Sequence, residues 1–278
     1  MRPWPVCAAG FLAVLAPAGL ARAFCRTTTV HEPVPYDPVA SGCWTQGTPL
    51  AWAAGSRVAY SLSAGASAQI PLADATRVAD LAFETWNGAS CAGNKPPDVQ
   101  AFDQGPVSVD AAASDCGLQP CDPTFHDPQH VIVFDDAVWP HNDPNNTLAL
   151  TTVTYGVNSG EIFDADVEIN SKEHTLSAQE PAPQGAFDLQ SILTHEAGHF
   201  FGLAHATDSH PIMFAQYQPG AVALTTDDVD GICSIYPAPP KSGCACTTAP
   251  PGTGGLALAS GLSLVGLAAL RKRRRPSR

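Results

Sequence analysis

The pattern of hydrophobic and polar residues predicts a long amphipathic helix over residues 71–86. Its apolar residues recur three or four positions apart, as they do on one face of a helix: Leu72, Ala75, Val78, Ala79, Ala82 and Trp86. Pro71 suits the first turn, because a helix has no partner there for the N–H that proline lacks. We expect the apolar face of this helix to cover a sheet.

Four shorter segments have the alternation or the β-prone composition of strands. They are residues 57–62, 130–139, 147–157 and 161–170. Residues 87–129 are rich in Gly, Pro and Asp, which predicts a loop. A second helix is predicted to begin after a capping Asp188 and to end at about Gly202. This order of helix, strands and helix predicts an α+β domain.

The second predicted helix and the loop after it contain four of the nine histidines of the chain. His195 and His199 are four positions apart, so their imidazoles share one helix face, and Glu196 lies beside them on the same turn. Gly202 can adopt the left-handed backbone conformation that ends a helix. The chain then turns back, which brings His205 within reach of the first two histidines.

Three neutral imidazoles suit a catalytic zinc site. They leave the fourth tetrahedral position of zinc for water, and the metal lowers the pKa of that water to about 7. The predicted ligands are His195, His199 and His205, and Glu196 is the predicted base that takes the proton. Two alternatives stay open: histidines that bind no metal, and a metal-binding relative that has lost its activity.

The pattern H-E-x-x-H-x-x-G-x-x-H, with Met213 eight residues beyond His205, resembles the metzincin clan of zinc peptidases. The resemblance implies a methionine turn beneath the metal, with Met213 and Gly202 in supporting roles. It also implies a twisted mixed sheet with two long helices. The second of these, the active-site helix, would be followed by the methionine turn and a C-terminal helix.

Two further segments are similar to the matrixin branch of this clan. Residues 224–237 are similar to its C-terminal helix, and Thr225 and Asp228 have the spacing of a capping box. Residues 147–150 resemble the matrixin edge strand, against which an extended polypeptide substrate pairs through main-chain hydrogen bonds. The substrate-binding residues that this resemblance implies are Leu148, Ala149 and Leu150.

The number of zinc ions follows from a departure from the matrixin pattern. Leu150 stands where matrixins carry a histidine ligand of a second, structural zinc, and His141 and Asp143 match only part of that site. We therefore expect one zinc. Two other functions fit the same sequence: a surface binding protein built on an inert metzincin scaffold, and a zinc hydrolase of non-peptide bonds. The intact Glu196 weighs against an inert scaffold.

Both ends of the chain have the composition of export signals. Residues 1–23 combine a basic start, an apolar run and an Ala-x-Ala site, which favours a secretory signal peptide over a membrane anchor. Residues 241–278 combine a Cys-bearing motif, an apolar stretch and an Arg-rich end, and resemble the sorting tails of myxobacterial surface proteins. Such a tail is either processed by a sorting enzyme or kept as a membrane anchor. We expect an exported monomer, extracellular or at the cell surface, with an arm over residues 24–54 and a peptidase domain over residues 55–240.

The chain between these ends is strongly acidic. Eight of the 14 Lys and Arg residues lie in the first 23 and the last eight positions, whereas all 26 Asp and Glu residues lie between, giving that part a net charge of −20. This charge argues against nucleic acid as a partner, and the many Asp carboxylates leave room for calcium. Six cysteines in the exported part predict three disulfides, with Cys116–Cys121 the first pair that we expect.

Overall fold

A mixed five-stranded sheet with two long helices confirms the predicted α+β fold. The structure, a computed structural model, describes residues 23–108 and 129–238. The helices and strands, in chain order, are β1 (Cys25–Arg26), α1 (Pro38–Ser41), β2 (Ser56–Leu62), α2 (Leu72–Asn87), β3 (Val99–Asp103), β4 (His130–Phe134), β5 (Ala149–Tyr155), β6 (Ile162–Ile169), β7 (Leu176–Ser177), β8 (Phe187–Asp188), α3 (Leu189–Phe200), β9 (Leu203–Ala204) and α4 (Thr226–Ile235).

The strands of the main sheet are ordered β3, β2, β4, β6 and β5. Strands β3, β2, β4 and β6 are parallel to one another, whereas β5 is antiparallel to β6, with Thr151 opposite Val167. In the described part of the chain β5 is the last strand at one side of this sheet. Its outer edge therefore presents backbone groups that can pair with an extended peptide.

Helix α2 confirms the helix that the spacing of apolar residues predicted. Its buried residues are Ala75, Val78, Ala79, Ala82, Phe83 and Trp86. The indole N–H of Trp86 donates to the carbonyl oxygen of Thr194 on α3 at 2.8 Å. The ring of Phe83 stacks on Tyr60 of β2 with 4.2 Å between ring centroids. Helix α2 thus links α3 to the sheet through buried contacts, which fixes the position of the histidine-bearing helix.

The predicted loop over residues 87–129 is wrong in one part, because Val99–Asp103 forms β3 beside β2. The side chain of Asn87, at the end of α2, exchanges two hydrogen bonds with the backbone of Ala101, at 2.7 and 2.9 Å. The Asn87 side chain thus provides hydrogen-bond partners for the N–H and C=O groups of Ala101, as a neighbouring strand would do. The strand has little hydrophobic alternation in its sequence, and its pairing with β2 is a contact between distant segments.

Two disulfides join described cysteines. Cys25 is bonded to Cys43 within the arm, and Cys91, after α2, is bonded to Cys233 on α4. The expected Cys116–Cys121 pair lies outside the described residues, as do residues 1–22 of the predicted signal peptide and the predicted C-terminal tail. Within the residues that the structure describes, no helix has the length and apolar character to cross a membrane.

A buried carboxyl group after β4 makes stability depend on pH. Asp135 is only 5% exposed, and among the residues that the structure describes its Oδ2 has no hydrogen-bond partner. Burial, and next the charge of Glu168, raise the pKa of Asp135 from 3.8 to about 6. The folded protein therefore favours the neutral carboxyl group. The stabilisation from this neutral form is fully present below pH 3.8 and is lost as the pH rises through about 6.

We predict that Asp135→Asn, which mimics the neutral form, stabilises the protein at neutral and alkaline pH. The expected rise in Tm at about pH 8 is about 2–4 °C, with almost no change at about pH 4, where Asp135 is neutral in the native protein. Thermal unfolding followed by circular dichroism at both pH values measures this. A lower Tm at about pH 8 would contradict the prediction.

The adjacent Asp136 provides the control. Burial alone would raise the pKa of Asp136, but the neighbouring Ser171 hydroxyl and the hydrogen bonds from Ala68 and Ser67 outweigh it and lower the pKa. The distances from Asp136 to Ala68 N and Ser67 Oγ are 2.6 and 2.7 Å. Asp136→Asn should therefore lower the Tm at about pH 8, the opposite of the effect expected for Asp135→Asn.

Candidate metal centre

Helix α3 carries His195 and His199, and its two ends are defined by Asp188 and Gly202. The carboxylate of Asp188 caps the helix by accepting from Gln190 N at 3.0 Å, as predicted. At the other end Gly202 has a φ of 90°, in the left-handed region. A Cβ at Gly202 would lie 2.7 Å from the carbonyl oxygen of Leu50. Both the backbone angle and the close approach therefore require glycine.

The returning chain is held by the arm. Strand β9, just before His205, pairs with β1 in an antiparallel register that places Cys25 opposite Ala204. The amide of Thr27 also donates to the carbonyl oxygen of Gly202 at 3.0 Å. The arm thus fixes the segment that brings His205 to the end of α3.

The three predicted ligand histidines converge on one point. The Nε2 atom of His199 lies 3.1 Å from Nε2 of His195 and 3.3 Å from Nε2 of His205. Tetrahedral zinc with Zn–N bonds of about 2.0–2.1 Å separates its ligand atoms by about 3.3–3.4 Å. The arrangement of the donor atoms therefore fits zinc. Among residues 23–108 and 129–238, this triad is the one group of three or more His, Cys, Asp or Glu side chains with metal-binding spacing.

Backbone carbonyl groups determine which nitrogen of each imidazole faces the centre. Nδ1 of His195 donates to Ile212 O at 2.7 Å, and Nδ1 of His199 donates to Leu203 O at 2.8 Å. A carbonyl oxygen only accepts hydrogen bonds, so Nδ1 carries the proton in the neutral ring and Nε2 keeps its lone pair.

Burial keeps the second and third histidines neutral. Burial, aided by the neighbouring His195, lowers the pKa of His199 to about 4. Burial, aided by the other two imidazoles, lowers the pKa of His205 to about 2. Both rings are neutral near pH 7, which is the protonation state that a metal ligand needs.

The methionine turn lies directly against α3. Met213 is 1% exposed, and its sulfur occupies the space that a side chain at position 198 would need, which explains Gly198 in the middle of the helix. The carboxylate of Asp228 accepts from the amides of Ile212 and Met213 at 3.0 and 3.3 Å. Ile212 O in turn accepts a hydrogen bond from the imidazole of His195. Asp228 therefore helps to orient His195 indirectly, through the backbone of the methionine turn.

Asp228 also forms the predicted capping box of α4 with Thr225. The spacing of these two residues revealed the box in the sequence. Nothing in the local sequence revealed that the same carboxylate binds the methionine turn, because that contact joins separate segments.

The predicted base lies beside the triad. Glu196 is 6% exposed, and its Oε2 accepts a hydrogen bond from Thr151 Oγ1 at 2.6 Å. Thr151 belongs to β5 and was missed by the sequence analysis. In the sequence Thr151 directly follows the predicted substrate-binding run 147–150, but no motif marks it as a partner of Glu196.

The triad and Glu196 line a cleft with a cavity volume of about 970 Å³. Strand β5 forms one wall, and the structure brings the predicted substrate-binding residues to it: Leu148, Ala149 and Leu150. Residues of the arm, including Trp44, line the same cleft, which the sequence did not predict. His141 and Asp143 lie elsewhere, where His141 Nε2 contacts the Glu168 carboxylate and Asp143 accepts from Asn146.

Comparison with known proteins agrees with this geometry. Residues 129–237 match the family model described as Matrixin. The chain is 45% identical over 53 residues to Metalloendoproteinase 1 of Glycine max, covering 18% of this chain and 17% of that protein. It is 43% identical over 70 residues to Metalloendoproteinase 2-MMP of Arabidopsis thaliana, covering 24% and 18%.

A longer similarity joins the chain to the Probable matrix metalloproteinase 095L of Invertebrate iridescent virus 3. The two are 29% identical over 120 residues, which are 42% of this chain and 31% of that protein. The chain thus spans less than a third of the length of each of these three relatives. Residues 129–237, with their histidine triad, methionine turn and C-terminal helix, are similar to the matrixins, and the fold is α+β and metzincin-like.

Proposed function

We propose that the protein is a zinc-dependent endopeptidase of the matrixin type that hydrolyses peptide bonds of polypeptide substrates. The observation that supports this most directly is the convergence of three imidazole Nε2 atoms beside the carboxylate of Glu196, within a cleft bordered by the edge strand β5. Backbone groups along β5 would bind an extended peptide, and the triad would hold the metal at its centre.

The residues divide the chemistry between them. His195, His199 and His205 hold the metal, and Met213 and Gly202 support them through the turn and the helix end. Zinc bound there supplies Lewis acidity, which lowers the pKa of a bound water to about 7 and polarises the scissile carbonyl group. Glu196 takes the proton from the attacking water and passes it to the nitrogen of the leaving amine as the C–N bond breaks.

Thr151 has a positioning role in this proposal. Its hydroxyl donates to Oε2 of Glu196, which leaves Oε1 as the carboxylate oxygen that we assign to the proton transfer. Leu148, Ala149 and Leu150 would bind the substrate through the edge of β5.

The location and partners of the enzyme complete the proposal. We infer export to the cell surface or the medium from the composition of residues 1–23 and 241–278, with the tail processed or membrane-anchored. The net charge of −20 between the ends fits a protein that does not bind nucleic acid. We also propose a monomer with one zinc and with room for calcium among its Asp carboxylates.

The proposal is tested with Glu196→Gln, which keeps the shape of the side chain but removes the base. We expect the native protein to cleave a library of internally quenched fluorescent peptides and the variant to lose at least about a thousandfold in kcat. Zinc content, measured by mass spectrometry, should be about one per chain in both.

The outcomes separate the competing functions. Substantial turnover by Glu196→Gln would contradict the assignment of the base. Zinc in both proteins with cleavage by neither would favour a binding protein on an inert scaffold. Cleavage of ester or amide compounds in place of peptides would favour a hydrolase of another class.

The metal ligands are tested with His199→Ala. We predict that zinc content falls from about one per chain to about a tenth or less, because two imidazoles give a much weaker site than three. His210→Ala is the control, since His210 lies on the same segment, has an 86% exposed side chain and contacts Asp208. Unchanged zinc in His199→Ala, with the fold verified by circular dichroism, would refute the ligand assignment.

The positioning role of Thr151 is tested with Thr151→Val, which keeps the shape of the side chain and removes the hydroxyl. We predict that kcat falls about 10–100-fold with little change in KM, because Glu196 loses a charge-assisted hydrogen bond. Thr151→Ser should restore most of kcat. Thr152→Val, next to it and opposite Asp166 in the sheet, should leave kcat unchanged. Equal effects of the two valine variants would show a merely structural role.

A further inference from the structure

The arm contributes a second wall to the substrate cleft. Val30, His31, Glu32 and Trp44 line the cleft together with the metal centre, although the Matrixin match begins only at residue 129. The far end of β5 contributes Tyr155 to the same region. We call the apolar part of this region, formed by Val30, Trp44 and Tyr155, the distal subsite.

The arm is held in place by covalent and backbone contacts. The Cys25–Cys43 disulfide closes it into a loop. Within it, Thr29 N donates to Thr48 O at 2.9 Å, and Leu50 N donates to Thr27 O at 2.8 Å. These contacts define the wall before any substrate arrives, and a pre-formed wall loses little conformational entropy on binding.

The distal subsite joins directly onto the edge strand. The hydroxyl group of Tyr155, the last residue of β5, donates to the carbonyl oxygen of Thr29 at 3.3 Å. The imidazole of His31 packs edge-on to the Tyr155 ring, with 6.5 Å between ring centroids. A peptide paired along β5 would therefore reach the arm at Tyr155.

The polar atoms of the distal subsite already have partners. Trp44 Nε1 donates to Val30 O at 2.7 Å, and the hydroxyl of Tyr155 is used by Thr29. What remains for a ligand is ring and methyl surface, and Val30 is 45% exposed. Such a surface binds a large apolar or aromatic side chain more strongly than a charged one.

The distance from the metal centre determines which substrate residue reaches the subsite. Thr151 lies beside Glu196, and Tyr155 is four residues farther along β5, which is about 13 Å at about 3.3 Å per residue. Antiparallel pairing is the more stable arrangement for an added strand. It places the N-terminal part of the substrate at Tyr155, about four residues before the cleaved bond.

We propose that the distal subsite selects a bulky apolar or aromatic side chain at about the fourth residue on the N-terminal side of the cleaved bond. The proposal rests on the peptidase activity proposed above and names a specificity determinant of that activity. Trp44 and Val30 supply the contacts with this side chain, and the disulfide-closed arm holds them beside β5.

The experiment compares three versions of a well-cleaved peptide. The first has Phe at the fourth position before the cleaved bond, the second has Asp there, and the third is shortened to lack that residue. For the native protein we expect kcat/KM to be about tenfold higher for the Phe peptide than for the other two. Trp44→Ala should lose that advantage, so that its kcat/KM for the Phe peptide is no higher than its kcat/KM for the shortened peptide.

A second variant and a control exclude a general effect on the arm. Val30→Asp changes an exposed position, so it introduces a charge into the subsite without a core defect, and it should also abolish the preference for Phe. Val34→Ala is the control, because Val34 lies in the same arm, is 96% exposed and is outside the cleft lining. It should keep the native preference.

Binding measured without turnover separates this proposal from the proposed function. Fluorescence anisotropy with the Glu196→Gln protein should show about tenfold tighter binding of the Phe peptide than of the shortened one. If no peptide is cleaved, the proposed function fails, and the binding result still decides on the subsite. Equal binding of the Phe, Asp and shortened peptides, or an equal loss on all three in Trp44→Ala, would overturn the distal subsite.

Discussion

Three lone pairs that face one another are the constraint on which the site depends. The Nε2 atoms of His195, His199 and His205 lie 3.1 and 3.3 Å apart, and none of them carries a proton to share when Nδ1 is protonated. Such an arrangement is unfavourable without a cation, so the surrounding parts of the protein must hold the three rings in place. It does so through the carbonyl groups of Ile212 and Leu203, which fix the rings of His195 and His199, and through burial, which lowers the pKa of His199 and His205.

Each of these restraints is held by another element. Leu203 belongs to β9, which the arm holds through β1. Ile212 belongs to the methionine turn, which the buried carboxylate of Asp228 holds through two backbone amides. Asp228 is 1% exposed and accepts from Thr225 as well, so its charge is satisfied by several donors. The start of α4 and the arm are therefore part of the metal centre, although neither contributes a ligand.

The cleft combines two segments of different character. The segment from β4 to α4 contains the histidine triad and Glu196 and matches the matrixins, and its geometry must be fixed within narrow limits if a metal and a base are to act together. The arm lines another part of the cleft and contributes shape and apolar surface. A wall of that kind tolerates variation, because binding through surface contacts demands less precision than proton transfer. The arm thus has two separate roles: β1 holds β9 next to the histidine triad, whereas Val30 and Trp44 line the cleft.

The sequence by itself determined the features that arise from neighbouring residues. The structure shows four such features: the periodicity over residues 71–86, the spacing of His195 and His199, the Asp188 cap and the Thr225–Asp228 box. Each arises from residues that are only two to four positions apart within one helix. The tertiary structure alone decided the rest. The Thr151–Glu196 hydrogen bond joins residues 45 positions apart, and the Cys91–Cys233 disulfide joins residues 142 positions apart. Strand β3 and the arm wall also depend on distant partners. No local pattern encodes such contacts, because their energy exists only once the sheet and helices have brought the two segments together.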